Sequence, residues 1–165
     1  MGPPVPTCLY DLKPGNILFD EAGDIKITDF GLSKIMRGED DAAGTSMELT
    51  SQGAGTYWYL PPECFVTGAG APRISSKVDV WSVGVIYYQM LYGARPFGEG
   101  QSQESLLKEN TMLRANEVPF PDLPKGEKIS AEAKEFISLA LTHSSHKRPD
   151  VLGLCGHRYL SRAGK

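Results

Sequence analysis

The sequence predicts a mainly α domain that carries one small β-hairpin, and three observations lead there. Between Ser75 and Gly93 the apolar residues Val78, Trp81, Val85, Tyr88 and Met90–Leu91 fall at helical steps. Ser130 offers an N-cap, with Glu132 in the first turn, to a second helix running to about Leu141. Against these stand two short β-rich runs, Ile17–Phe19 and Ile25–Thr28, joined by the turn residues Asp20–Asp24.

In chain order, residues 1–8 read as an unstructured lead-in, because each Pro in Gly2–Pro6 lacks an amide hydrogen and restrains the residue before it. The hairpin follows, and its two adjacent ends carry Asn16 and Asp29. Arg37 to Gly55 is polar, contains glycine and shows neither period, so a mobile loop is expected there. Thr56 to Pro62 is aromatic and closed by proline. The helix from Ser75 or Ser76 is apolar almost all round, which predicts burial on most sides, and Gly93 ends it. Further helices are expected over Ser102 to Ala115, Ser130 to Leu141, and from Pro149 to about Leu160. One domain over 9–161 and a tail at 162–165 complete the chain, and no internal repeat appears.

Composition removes several classes of function. The length of 165 residues suffices for a real core. A net charge of −3 lacks the basic footprint of direct nucleic-acid binding. The most apolar stretch, Val83 to Leu91, is interrupted by Gly84 and Gln89, so no membrane span is expected. Met1 to Thr7 lacks the basic start and apolar run of a signal peptide. Cys8, Cys64 and Cys155 are odd in number and form no C-x-x-C pair, which fits reduced thiols in an intracellular protein. Cys155 and His157 are too few ligands for zinc. Heptads are absent, and the oligomeric state is left open.

The chemistry-bearing stretch is Tyr10-Asp11-Leu12-Lys13-Pro14-Gly15-Asn16, followed after the hairpin by Asp29-Phe30-Gly31. Asp11 with Asn16 fits D-x-x-x-x-N, in which the Asp takes a substrate hydroxyl's proton and the Asn holds Mg²⁺. Asp29 opens D-F-G, whose carboxylate holds the other Mg²⁺. Either motif alone arises by chance; in order, on the two ends of one predicted hairpin, they are specific. The pattern resembles the eukaryotic protein kinase family, and the resemblance implies the C-terminal lobe of a kinase fold using ATP and Mg²⁺. Lys13 would place its ammonium on the transferred γ-phosphate, where in isolation it reads as a surface lysine. Lys13 followed by Pro14 resembles the serine/threonine branch. Leu18 would form the floor under adenine, with simple hairpin core as its other reading.

Gly55-Thr56-Tyr57-Trp58-Tyr59-Leu60-Pro61-Pro62-Glu63 resembles the end of a kinase activation segment, G-T-x-x-Y-x-A-P-E, with Pro61 in place of Ala. That resemblance implies that Thr56 hydrogen-bonds toward Asp11 and Lys13 and favours Ser/Thr substrates. It also implies a buried structural ion pair between Glu63 and Arg148, which otherwise read as two unrelated surface charges. Asp79 would accept backbone hydrogen bonds from the catalytic loop, beyond the usual role of an acid as dipole partner in a first helical turn. Gly93-Ala94-Arg95-Pro96-Phe97 resembles the G-x-x-P-F turn after that helix. Three stretches narrow the likeness: Ile25 to Met36, Leu49 to Val66, and Pro96-Phe97-Gly98 leading into Gln101-Ser102-Gln103. All resemble the tousled-like serine/threonine kinases, from about Tyr10 to Leu160. That family implies a nuclear kinase acting on histone chaperones in chromatin assembly.

The sequence departs from the family pattern at Leu9-Tyr10-Asp11, where H-R-D is usual. Tyr10 agrees with the tousled-like pattern and removes the arginine that would bind a loop phosphate, so control by one such phosphate is expected to be weak. Thr45, Ser46, Thr50 and Ser51 read either as phosphosites or as parts of a solvated loop. The sequence holds no glycine-rich phosphate loop, no V-A-I-K lysine with its glutamate partner, and no helix ahead of the catalytic loop. The expectation is therefore a fragment lacking the N-lobe, inactive alone, with an apolar patch left on the Val78–Leu91 helix. A non-catalytic, kinase-derived interaction module is the alternative, and a product that hardly folds is a third reading. The intact set of Asp11, Lys13, Asn16 and Asp29 favours the kinase, because a binding module has no physical need of all four.

Overall fold

The computed structural model describes residues 7–31, 33–35, 56–68 and 75–162. The loop expected at 37–55, with Thr45, Ser46, Thr50 and Ser51, and the Pro-rich stretch up to Pro6 lie outside the described residues. Thr7–Cys8 correct the expected lead-in: they form strand β1, paired antiparallel with β4, Lys34–Ile35. Past Pro6 the backbone amides are free to enter a ladder, and Cys8 is fully buried.

The predicted hairpin is present as β2, Ile17–Phe19, and β3, Ile25–Ile27, with Ile17 opposite Ile27 and Phe19 opposite Ile25. Its turn is fastened by Asp20, whose Oδ1 accepts the amides of Ala22 and Asp24. Phe19 and Ile25 are largely exposed.

Helix α1, Lys77–Tyr92, is the centre of the molecule, and nine of its sixteen residues are buried, as an all-round apolar pattern requires. Gly93 ends it in the left-handed region, φ 71°, donating to the Gln89 carbonyl. Val78, Trp81 and Val85 are fully buried, with Phe97 stacked on Trp81 at 5.7 Å. Helix α3, Ala131–Ala140, begins at Ser130, whose hydroxyl accepts the Ala133 amide. It packs on α1 at Gly84, where a Cβ would meet Ala140 and Leu141 atoms at 2.9 Å. Only a missing side chain permits that approach.

Two expected helices are shorter than the pattern suggests. The run from Ser102 stops as α2, Gln103–Lys108, and resumes as a 3₁₀ turn at Met112–Arg114. Asn110 sits at φ 52°, its amide donating to Leu107 and the Thr111 amide to Leu106. That is a Schellman stop, in which Asn substitutes for Gly. Beyond Pro149 the single expected helix is two, α4 at Val151–Cys155 and α5 at Arg158–Arg162, interrupted at Gly156–His157. Asp150, not Pro149, caps α4 by accepting the Gly153 amide at 2.7 Å.

Along α1 an apolar groove of about 560 Å³ runs between Leu9, Val80, Val83, Phe136 and Leu154. Tyr87 and Tyr159 meet hydroxyl to hydroxyl at its wall. No described helix is long and apolar enough to cross a membrane.

Candidate active site

The catalytic-loop stretch is held from below by α1. Asp79, in the first turn, accepts the Leu9 amide at 2.8 Å on one carboxylate oxygen and the Tyr10 amide at 3.0 Å on the other. Burial pushes the Asp79 carboxyl upward, and the two amide bonds pull the opposite way. Tyr10 is buried and takes φ 61°, a conformation costly for a side chain of this size. Asp79 offsets that cost by fixing both amides at the turn, and the next residue is Asp11.

Asp11 is the hub of a small polar cluster. Its Oδ2 accepts Lys13 Nζ at 2.5 Å and Asn16 Nδ2 at 3.2 Å, while Asn16 Nδ2 also donates to the Asp11 carbonyl at 2.9 Å. Asp11 retains little exposure and Asn16 is buried. Because the Asn16 amide spends its hydrogens on Asp11, its Oδ1 is turned away as an acceptor. No hydrogen bond among the described residues uses Asn16 Oδ1 or Asp11 Oδ1.

The hairpin brings the other acid alongside. The Asn16 carbonyl accepts the Thr28 amide at 2.9 Å, extending the β2–β3 ladder one step and placing Asp29 next to the Asn16 end. Asp29 is exposed at φ 62°, with Oδ1 accepting the Gly31 amide at 3.2 Å. Its Oδ2 has no donor among the described residues. Asn16 and Asp29 thus offer two uncommitted oxygens at one end of the hairpin, the donor type that hard divalent cations take. Leu18, on β2, is half exposed rather than hairpin core.

Thr56 departs from expectation. No hydrogen bond joins it to Asp11 or Lys13 among the described residues; the Lys13 ammonium instead closes onto Asp11, its nearest carboxylate. The Thr56 carbonyl opens the 3₁₀ turn Tyr57–Tyr59 by accepting the Tyr59 amide.

Glu63 and Arg148 meet as a buried bidentate pair, Nη1 to Oε1 at 2.7 Å and Nη2 to Oε2 at 3.0 Å. Arg148 also donates to the carbonyls of Thr142, Lys77 and His143 and lies 5.0 Å from the Trp81 ring centre. Every guanidinium nitrogen is therefore used, which is what burial of a charge demands. Those three carbonyl partners carry no side-chain signal and could not have been found in the sequence. Trp58 and Arg95 form a further contact that sequence reasoning missed, the guanidinium lying 4.4 Å from the indole centre.

A loop with an Asp–Lys–Asn cluster, an acid across a hairpin and a buried Glu–Arg clasp around one central helix define a protein kinase catalytic lobe. The chain belongs to the protein kinase domain family, whose model matches residues 7–160. It is 58% identical over 156 residues to the serine/threonine-protein kinase TOUSLED of Arabidopsis thaliana, covering 94% of this chain and 22% of that protein. It is likewise 58% identical over 159 residues to human serine/threonine-protein kinase tousled-like 1, covering 94% of this chain and 20% of that protein. The Caenorhabditis elegans tousled-like 1 is 49% identical over 162 residues, covering 96% and 16%. The chain thus spans about a fifth of the length of these relatives or less.

Proposed function

We propose that this chain carries the phosphoryl-transfer centre of a serine/threonine protein kinase, moving the ATP γ-phosphoryl group to Ser or Thr of protein substrates. The observation that carries the reading is the Asp11–Lys13–Asn16 cluster, which leaves one oxygen each of Asp11 and Asn16 uncommitted beside Asp29. In it Asp11 accepts the proton of the substrate hydroxyl through its open Oδ1, and Lys13 would place its ammonium on the transferred γ-phosphate. Asn16 and Asp29 would hold Mg²⁺, which with ATP supplies the phosphoryl group and neutralises its charge. By the family resemblance alone Thr56 would favour hydroxyl acceptors, and exposed Leu18 would offer an apolar surface to adenine. The tousled-like resemblance extends the proposal to a nuclear kinase with histone chaperones as substrates.

Calorimetric titration with ATP tests the centre. A saturable heat is expected with Mg²⁺ present, lost when Mg²⁺ is chelated and in Asp29→Asn. Heat that is absent with Mg²⁺, or unchanged in Asp29→Asn, refutes the assignment.

A further inference from the structure

Trp58 stands between two buried tyrosines, Tyr57 and Tyr59, which belong with Leu60 to the same core as Tyr10 and Leu12 on either side of Asp11. The segment bearing Trp58 therefore shares one hydrophobic core with the catalytic loop, and the Tyr59 carbonyl ties it to α1 by accepting the Ser82 hydroxyl. Trp58 itself is locked from outside: its indole nitrogen donates to the Gly98 carbonyl at 3.1 Å. The Arg95 guanidinium covers its ring at 4.4 Å. Arg95 is fixed in turn by Glu99, one of whose oxygens accepts both the Arg95 backbone amide and Nε, each at 2.9 Å. The Arg95 side chain keeps 18% exposure. Its Nη1 and Nη2 have no hydrogen-bond partner among the described residues.

Arg95 is thus held at its aromatic face, its Nε and its backbone, with the two-pronged end of the guanidinium open. That end matches the two oxygens of a carboxylate or the oxygens of a phosphate. The cost of ordering a long side chain on binding is already met by the Trp58 stack and the Glu99 contact. Glu99 does not fill the fork, because its carboxylate sits on the Nε side and shares its charge with a backbone amide.

We propose that Arg95, mounted on Trp58, reads an anionic side chain flanking the phosphoacceptor of a protein substrate. The proposal rests on the kinase reading above, and it adds a substrate class: acidic, or already phosphorylated, sequence around the acceptor.

Trp58 and Trp81 are the two tryptophans of the chain, so indole N–H signals in a nitrogen-15 spectrum give one reporter at the Arg95–Trp58 stack and one buried control. The chain is titrated with serine peptides carrying Asp, Glu or phosphoserine at each flanking position, against the same peptides with Asn, Gln or Ser. Anionic peptides are expected to move the Trp58 signal and leave Trp81 still. Arg95→Gln is expected to weaken that binding about tenfold, the scale of one charged hydrogen-bonded contact. Arg95→Lys, which keeps the charge without the fork, falls between. An unmoved Trp81 signal shows that each variant is folded. A response shared by Asp, Glu and phosphoserine supports recognition of acidic sequence, and one confined to phosphoserine supports recognition of a primed substrate. Equal binding of neutral peptides, or an Arg95→Gln variant that keeps the preference, overturns the proposal. If no peptide moves Trp58 while Mg-ATP still perturbs Asn16 and Asp29, the Arg95 assignment alone falls. If Mg-ATP perturbs neither residue, the kinase reading falls with it.

Discussion

Glu63→Gln isolates one charge in the most deeply buried ion pair among the described residues. The Arg148 side chain has no exposure and that of Glu63 only 5%. Gln at position 63 keeps one acceptor oxygen, turns a second donor toward Nη1 or Nη2, and leaves the guanidinium without a counter-charge. Breaking a buried pair from one side costs ~3–5 kcal/mol, against a total stability of ~5–15 kcal/mol for a domain of this kind. A simple pair replaced on both sides by apolar groups is often neutral. Here it should not be, because Arg148 also serves the carbonyls of Thr142 and His143. Each carbonyl left unsatisfied costs ~1–3 kcal/mol. Glu63→Leu with Arg148→Met is therefore expected to remain at least ~2 kcal/mol below the parent. It should still be less destabilised than the sum of the two single changes. Urea unfolding followed by tryptophan fluorescence measures all three, with Trp81 under the guanidinium as the natural probe. A Glu63→Gln loss below ~1 kcal/mol with an unchanged m-value would show that the Arg148 charge is not desolvated in the folded chain.

Two further outcomes follow from single positions. Asn110→Ala should cost ~1–2 kcal/mol, because alanine resists the left-handed backbone at φ 52°, whereas Asn110→Gly should be tolerated; equal melting of the two variants would contradict the Schellman stop at α2. Cys155 is exposed, whereas Cys8 and Cys64 are buried and burial pushes both thiols well above the ordinary range, so a thiol reagent at pH 8 should take one fast equivalent from the folded chain and three after unfolding.

How much of this was legible in the sequence depends on whether a residue's partner is a side chain or the backbone. Helix α1 was readable because its burial is a property of its own periodicity, and Gly93 marks its end chemically. The hairpin was readable from Asp20–Asp24 between two β-rich runs. The Asp11–Asn16 contact was readable because motif spacing encodes which side chains share a turn, and the hairpin then pairs Thr28, the neighbour of Asp29, with Asn16. The left-handed backbone of Tyr10 was not, since nothing in a tyrosine announces φ 61°. Nor were the carbonyls that Arg148 satisfies, which belong to Thr142, His143 and Lys77 irrespective of their side chains. The stop at Asn110 did carry a signal, since Asn adopts the left-handed backbone more readily than other side chains, but it was not read within the helix expected over Ser102–Ala115. Thr56 shows the converse limit: a family motif supplies the residue but not the contact, and the Lys13 ammonium pairs with the Asp11 carboxylate.

The first two turns of α1 connect these parts. Asp79 fixes the loop ahead of Asp11 through Leu9 and Tyr10, contacts spanning 70 and 69 positions of sequence. Two residues earlier, the Lys77 carbonyl accepts Arg148 Nη1, and Trp81, two residues later, lies beneath the same guanidinium. Ser82 completes the set by donating to the Tyr59 carbonyl at 2.8 Å, tying the Thr56–Leu60 segment to the same stretch. Catalytic loop, acceptor-side segment and Glu–Arg clasp are each keyed to one rigid helical surface rather than to one another. Such an arrangement holds groups that are far apart in sequence in a fixed relation, because packed helices deform little. It also predicts where function and stability separate. The roles proposed for Arg95 and Lys13 lie off α1, where truncation leaves the helix intact, whereas Asp79, Ser82 and Arg148 bear on the helix itself.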